Sequence, residues 1–396
     1  MQQSQNPTPA FPASSSAVIP ENSSLRRLPL KPERKRSPAF LQTFESRALI
    51  YDCFRNATGR DVILVGPPAL NLEPLFRTAR FSTDGGGEPL QARFYPSRST
   101  MLIALENVPQ NATEISLALA DLTFGLPIRP NEAERFKGRN VLVTMNKDND
   151  LDWIAAWARW HVRLHGADAC VFFDNGSTRY TPADIASALS VEGMGEIAIL
   201  SWPHKYGRKD PAILDRPHYP HFLQVSSLNV ALRRFAGSAR GLLNCDIDEL
   251  VGTLDGKSIF DFARESTDGL VTLKGRWVEP VASETANLSL PHLAYRRTSK
   301  IPFLSRCANK WALDPSRPWV QDLAAKPSVH RIYDVPKTLL RAAPEAPFWH
   351  FKAINTGWKE TRDDDRPPSF SLRRLQALDA DAARYDLAPI PAINGR

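Results

Sequence analysis

The 396-residue sequence has no uninterrupted apolar run of the roughly 18 residues that a bilayer-spanning helix needs. Its amino-terminal stretch, rich in Gln, Ser and Pro, also lacks the apolar segment of a signal peptide. These two absences lead to the expectation of a cytoplasmic protein. Cysteine is scarce: Cys53, Cys170, Cys245 and Cys307 show no Cys-x-x-Cys spacing, which removes the paired-cysteine motifs of metal and redox sites. Two of the four stand inside apolar, strand-like runs, so buried and reduced thiols are expected. No internal repeat of solenoid period is present.

What is present is ordinary for a globular chain, with 42% hydrophobic and 23% charged residues. The length suits two folded units and a tail. A net charge of +7 and a pI near 9.3 suit a polyanionic partner: nucleic acid, an anionic membrane surface or a nucleotide-sugar diphosphate. Charge alone does not choose among them.

Composition divides the chain into three parts. Residues 1–38 combine Pro, Ser and Gln with the basic run Arg26, Arg27, Lys31, Arg34, Lys35 and Arg36, and read as a disordered basic tail able to touch an anionic lipid face. Residues 39–130 carry short apolar or alternating runs, such as Val62–Val65 and Met101–Leu105, separated by turn residues such as Asp84 and Gly85–Gly87. That pattern predicts a small all-β, sandwich-like domain with no cluster of chemical groups. From residue 138 to about 390 the pattern becomes α/β. The run Asn140–Met145, a helical stretch from about Asp152 to His165 and the run Ala169–Phe173 read as a βαβ unit with a mostly parallel central sheet. Ligands of such sheets bind at the strand carboxyl ends.

The fourth apolar run, Gly241–Cys245, leads directly into Asp246, Ile247, Asp248 and Glu249. In an extended backbone, residues two apart share a face, so Asp246 and Asp248 can both address one divalent cation and the phosphate oxygens it bridges. Hard carboxylate oxygens suit magnesium or manganese. The same spacing recurs at 148/150, 150/152, 363/365 and 379/381, and only its place at a buried strand's end singles out 246/248. Glu249 either orients a ligand or caps the following turn. Asp174, before Asn175, Gly176 and Ser177, ends the second strand where it can accept hydrogen bonds from a base or ribose. Asp148, Asn149 and Asp150 open like a calcium loop, but Trp153 stands where Gly is needed and Arg159 where the bidentate Glu belongs, which excludes an EF-hand.

In order along the chain, Asp148-Asn149-Asp150, Trp157, Trp160-His161, Gly166 and Asp174-Asn175-Gly176-Ser177 resemble the family-2-like glycosyltransferases, whose text runs Lys-Asn-Glu, Glu-Trp and Tyr-His, then Asp-Asn-Gly-Ser. Asn244 to Leu250 looks like their Asp-x-Asp strand, and the resemblance spans residues 138–360. It implies a GT-A fold, a nucleotide-sugar donor, and a metal, Mn2+ or Mg2+, on Asp246 and Asp248. By position, Asp150 and Asp174 would hold the nucleoside, and Asp246 would also meet the diphosphate. Trp157, Trp160 and His161 fall on the intervening helix and read as core. The chain departs from the pattern with Asp148 where Lys is usual and Asp150 where Glu is usual.

Downstream, Phe348–Lys352 and Gly357–Lys359 resemble the His-containing segment that many GT-A enzymes return to the metal. That likeness makes His350 the third metal ligand, with His330 as the alternative, and Lys352 a neutraliser of the leaving diphosphate. Inverting transfer needs a carboxylate to deprotonate the acceptor hydroxyl. The candidates are Glu279, beside Arg276 and Trp277, and Asp322. Trp277, Trp311, Trp319, Trp349 and Trp358 are available to stack on sugar faces.

The expected partners are a nucleotide-sugar donor and a glycan or lipid-linked acceptor; the basic run reads first as a solvated linker, with peripheral membrane contact as the alternative. Nucleic acid is not expected, since its binding falls steeply with salt, whereas this site depends on a divalent metal. The competing readings are a metal-dependent phosphotransferase or phosphohydrolase using the same aspartates, and a noncatalytic carbohydrate-binding protein on a decayed GT-A fold.

Overall fold

The computed structural model describes residues 9–30, 35–83, 88–207, 221–282, 290–357 and 370–387, and the statements below concern these. Continuous apolar runs that are buried on both faces form the centre of an α/β sheet. They are β10 (Asn140–Asn146), β11 (Ala169–Asp174), β12 (Glu196–Ser201) and β13 (Gly241–Asn244). These four pair in parallel, in the order β12, β11, β10, β13. Since the chain moves outward from β10 to β12 and then returns to the other side of β10, the carboxyl ends of β10, β11 and β13 surround a topological switch point.

Local chemistry sets the crossover helices. Leu151–His165 presents Ile154, Trp157, Trp160, His161 and Val162 to the core and stops at Gly166, whose φ of 64° suits a left-handed cap; Gly166 N–H bonds the Val162 carbonyl at 2.9 Å. Trp157, Trp160 and His161 are fully buried. Pro182–Leu189 starts with a capping box in which Thr181 and Asp184 satisfy each other's backbone.

Beyond β13 the sheet differs from the mostly parallel expectation. β14 (Glu249–Val251), β15 (Leu270–Val278), β17 (Lys310–Leu313) and β20 (Glu345–Phe351) extend it in the order β13, β17, β15, β20, β14. The contacts of β17 with β13 and β15 are antiparallel, β15 and β20 are parallel, and β20 and β14 are antiparallel. The sheet is therefore mixed, with β17 antiparallel to both its neighbours and β14 antiparallel to β20. A side pair of β16 (Arg297–Ser299) and β21 (Leu372–Arg374) and another of β18 (Lys326–Pro327) and β19 (Ile332–Tyr333) lie outside it.

The amino-terminal third is built from antiparallel pieces. β1 (Ala17–Val18) lies on β2 (Ala48–Ile50). β3 (Asp52–Arg55), β4 (Val62–Gly66), β7 (Met101–Leu105) and β6 (Ala92–Pro96) make one sheet, and β5 (Arg80–Thr83), β8 (Glu114–Leu119) and β9 (Leu122–Pro127) make another. Leu64, Ile103 and Leu105 of the first meet Phe81, Ile115 and Leu117 of the second in one apolar cluster. The other face of the first sheet, with Tyr51, Phe54, Val65 and Leu102, joins Phe173, Trp202, Leu223 and Leu232 in a core shared with the large sheet.

The disordered tail expected over residues 1–38 is corrected for residues 9–30. Ala10 pairs with β12, donating to Ile197 O at 3.0 Å and accepting from Ile199 N–H at 2.9 Å. Arg27 is 1% exposed and donates to the carbonyls of Pro68, Glu45 and Ala48. Its guanidinium is a cross-link between loops, and such sequence-distant acceptors leave no local pattern to read. Lys31 and Arg34 lie outside the described residues. No described helix is long and apolar enough to cross a membrane.

Candidate metal centre

After β13 the backbone does not stay extended. Glu249 N–H bonds Asp246 O at 3.0 Å, so Asp246 to Glu249 form a turn. The Glu249 side chain caps the turn, accepting from Asp246 N–H at 2.9 Å. From outside, buried His292 donates Nε2–H to Ile247 O at 2.8 Å, and Phe351 N–H bonds Asp248 O at 2.8 Å. Burial drives the His292 pKa down to about 4, so the ring is a neutral donor at ordinary pH.

Asp246 is occupied on its own side of the turn. Its Oδ2 meets Lys310 Nζ at 2.9 Å and its Oδ1 accepts from Gln224 Nε2 at 3.1 Å. Lys310 lies 3.1 Å from Glu249 Oε2 as well. Burial opposes the Lys310 charge, but Asp246 and Glu249 outweigh it and hold the ammonium well above its usual pKa. Asp246 is not among the three residues whose ligand atoms cluster, whereas Asp248 is.

On the other side of the turn, His350 Nε2 lies 2.9 Å from Asp248 Oδ2 and His350 Nδ1 lies 3.6 Å from Glu249 Oε1. One ligand atom from each of Asp248, Glu249 and His350 lies within 4.8 Å of the other two. The sheet makes this meeting, because Glu249 of β14 stands directly across from His350 of β20. Burial raises the Glu249 pKa, with Lys310 the strongest opposing influence. The donor set fits a hard or borderline divalent ion: two carboxylates and an imidazole. Lys310 is shared by Asp246 and Glu249, at 2.9 and 3.1 Å.

Trp277 of β15 packs on His350, ring centroids 4.2 Å apart and 30° between planes. Two residues on, Glu279 is 2% exposed, and its carboxylate oxygens accept from Lys352 Nζ at 2.9 and 2.8 Å. Lys352 therefore faces Glu279 rather than standing open for a diphosphate. Its Nζ also lies 5.6 Å from the Trp277 ring centroid.

The β10 and β11 ends are knitted together beside this cluster. Asp174 accepts from Asn146 Nδ2 at 2.9 Å, Ser177 N–H at 3.0 Å and Ser177 Oγ at 2.5 Å. Asp148, at φ 55°, accepts from the Thr178 and Arg179 amides, and Asp150 pairs with Arg179 Nη2 at 2.8 Å. Thr356 Oγ1 reaches Lys147 O at 3.4 Å, tying the segment after His350 to the end of β10.

Other candidates fall elsewhere. Asp322 lies beyond the far end of β17 from Lys310, where it caps a turn by accepting from Ala324 N–H at 2.8 Å; the structure removes it from the site. His330 bonds Asn309 O through Nδ1 and is not among the clustered ligand groups. Trp311 and Trp349 are buried, and Trp319 donates to Asp268 O away from the cluster. Trp358 and Lys359 lie outside the described residues. Sequence reasoning missed Lys310, Gln224 and His292, and left Glu249 undecided. One signal was available for Lys310: a lone cation heading the apolar run Trp311–Leu313.

No family model matches the sequence, and no curated protein matches it. Among solved structures, the chain is similar to glucosyl-3-phosphoglycerate synthase from Mycobacterium tuberculosis in complex with Mn2+, uridine diphosphate and glucosyl-3-phosphoglycerate, at 14% identity over 63% of this chain and 77% of that one, with a TM-score of 0.29. It is also similar to an active-site mutant of LgtC, at 11% identity over 63% and 97%, with a TM-score of 0.29. A third likeness is to a mycobacterial protein, at 16% identity over 63% and 72%, with a TM-score of 0.27. Likenesses this loose carry no argument about activity.

Proposed function

We propose that this chain is a metal-dependent glycosyltransferase that moves a sugar from a nucleotide-diphosphate donor to a glycan or lipid-linked acceptor. The observation that carries the reading is the convergence of Asp248, Glu249 and His350 at the carboxyl edge of the sheet. Asp248, Glu249 and His350 would hold Mn2+ or Mg2+, and the ion when bound supplies positive charge against the departing diphosphate.

The chain's own residues account for the rest. Lys310 would hold Asp246 and Glu249 together at the turn that carries Asp248. Asp174 and Asp150, at the switch point, are the proposed contacts to the nucleoside. Trp277 fixes the plane of the His350 ring and offers its own half-exposed surface to a sugar face. Glu279 is the proposed base that takes the acceptor hydroxyl proton, with Lys352 holding it in place and balancing its charge. The outcome of such direct displacement is inversion at the anomeric carbon.

The test is turnover of a panel of nucleotide-sugars by the full chain with Mn2+. We expect release of nucleoside diphosphate, lowered by at least about a hundredfold in Asp248→Ala and His350→Ala. Release of inorganic phosphate from the nucleotide in place of sugar transfer would contradict the reading.

A further inference from the structure

We infer that the short helix Pro302–Ser305 and the loop leading into it form a docking tip for an anionic lipid surface. Three neighbouring apolar side chains face water here: Ile301, Phe303 and Leu304 are 37%, 74% and 36% exposed. A folded chain exposes single apolar residues freely, but an aromatic flanked by two aliphatics on one tip is a contact surface.

Cations flank the tip. Lys300 and Arg306 bracket it in sequence, and both are exposed. Lys300 N–H bonds Ser371 O at 2.9 Å, which brings exposed Arg373 of β21 to the same border. Asp379 does not cancel this charge, because Arg296, at 2.8 Å, and Arg374 already hold it. Cations around an apolar point match anionic headgroups above acyl chains: the charges stay in the headgroup layer while Phe303 and its neighbours pass below it.

The backbone of the tip is prepared to leave water. Leu304 and Ser305 both donate their amides to Ile301 O, at 3.1 and 3.2 Å, and Pro302 has no amide to satisfy. The tip is a single turn of four helical residues.

The tip is seated on the catalytic edge. Arg276 Nη1 bonds Ser305 Oγ at 2.9 Å, Arg276 and Arg306 form a backbone bridge, and the next residue, Trp277, covers His350. A membrane held at Phe303 would therefore lie close to β15, the strand that leads into Glu279, so a lipid-linked acceptor would arrive near the proposed base. That last consequence rests on the glycosyltransferase reading, whereas lipid binding itself does not.

The experiment is co-sedimentation of the full chain with phosphatidylcholine vesicles carrying about one-third phosphatidylserine, and with phosphatidylcholine alone. The parent should bind the anionic vesicles in a salt-sensitive way and bind the neutral ones weakly. Phe303→Ser should lower partitioning on the order of tenfold. Lys300→Gln combined with Arg373→Gln should lower it on anionic vesicles only. Unchanged melting temperatures would show that the variants stay folded, as expected for exposed positions. The proposal is overturned if the parent ignores anionic vesicles, if both variants bind like the parent, or if Phe303→Ser instead dissolves a dimer of the chain seen by light scattering. Vesicle binding without sugar turnover would sink the glycosyltransferase reading and leave the docking tip standing.

Discussion

At the scale of single residues, Lys310 decides how the acidic turn is used. Its ammonium, almost wholly buried, answers both Asp246 and Glu249, so removing it leaves two carboxylates facing each other inside the protein. Lys310→Met should destabilise the fold by about 3 kcal/mol, in the range for an uncompensated buried charge. Added Mn2+ should raise the melting temperature of this variant more than that of the parent, because the ion then becomes the nearest neutralising charge. Equal thermal gains would show that Lys310 and the cation are not electrostatically linked.

The buried histidines make a second prediction at this scale. His165 donates Nε2–H to Val251 O at 3.0 Å and accepts from Ile259 N–H at 3.1 Å, while His292 anchors Ile247. Burial lowers both pKa values from 6.5 to about 4. Between these values the unfolded chain takes up protons that the folded chain refuses, so stability is complete above pH 6.5 and declines as the pH falls toward 4. The loss approaches about 3 kcal/mol for each imidazole at the lower end, from roughly 1.4 kcal/mol per unit. Urea denaturation at pH 7 and pH 4.5 measures it, and equal midpoints would refute the assignment.

At the scale of elements, the meeting of β14 with β20 builds the cluster. The register that sets Glu249 opposite His350 also sets Leu250 opposite Trp349, so a slip of one residue would turn the ligands to the other face. The apolar runs of β10, β11 and β13 and the residues at their ends were legible in the sequence, because periodicity and strand-end polarity are local signals. The behaviour of Asp246 was not. Its orientation depends on Glu249 capping its amide, on Lys310 from β17 and on Gln224 from the helix Phe222–Val230, partners that only the folded sheet brings together. Asp322 misled for the converse reason: a carboxylate after a Trp looks alike in sequence at either end of a strand. Asp322→Ala should leave Mn2+ binding and any sugar turnover within about twofold of the parent, as surface turn substitutions usually do.

At the scale of the whole molecule, the antiparallel amino-terminal region and the α/β sheet are joined by more than apolar contact. Asp52 of β3 pairs with Arg234 at 2.9 Å, with side chains 0% and 1% exposed. Burial raises the Asp52 pKa, and Arg234 opposes that rise. Asp52→Ala strands a buried guanidinium and should cost about 3 to 5 kcal/mol, read as a drop in the urea midpoint. A neutral result would mean that this ion pair does not help to join the two regions. Residues 9–30 belong to this body as well, through Ala10 on β12 and Arg27 among three carbonyls. Their Pro- and Ser-rich composition concealed this, since the segment folds by edge pairing and by one buried side chain rather than by any periodicity of its own.

The central claim is that Asp248, Glu249 and His350 form a divalent-cation site at the carboxyl edge of the sheet. Calorimetric titration of Mn2+ into the full chain, alongside His350→Ala and Asp248→Asn, addresses it most directly. The account predicts one cation per chain in the parent and affinity lowered at least about tenfold in each variant. Mn2+ binding that survives both substitutions undiminished would contradict it.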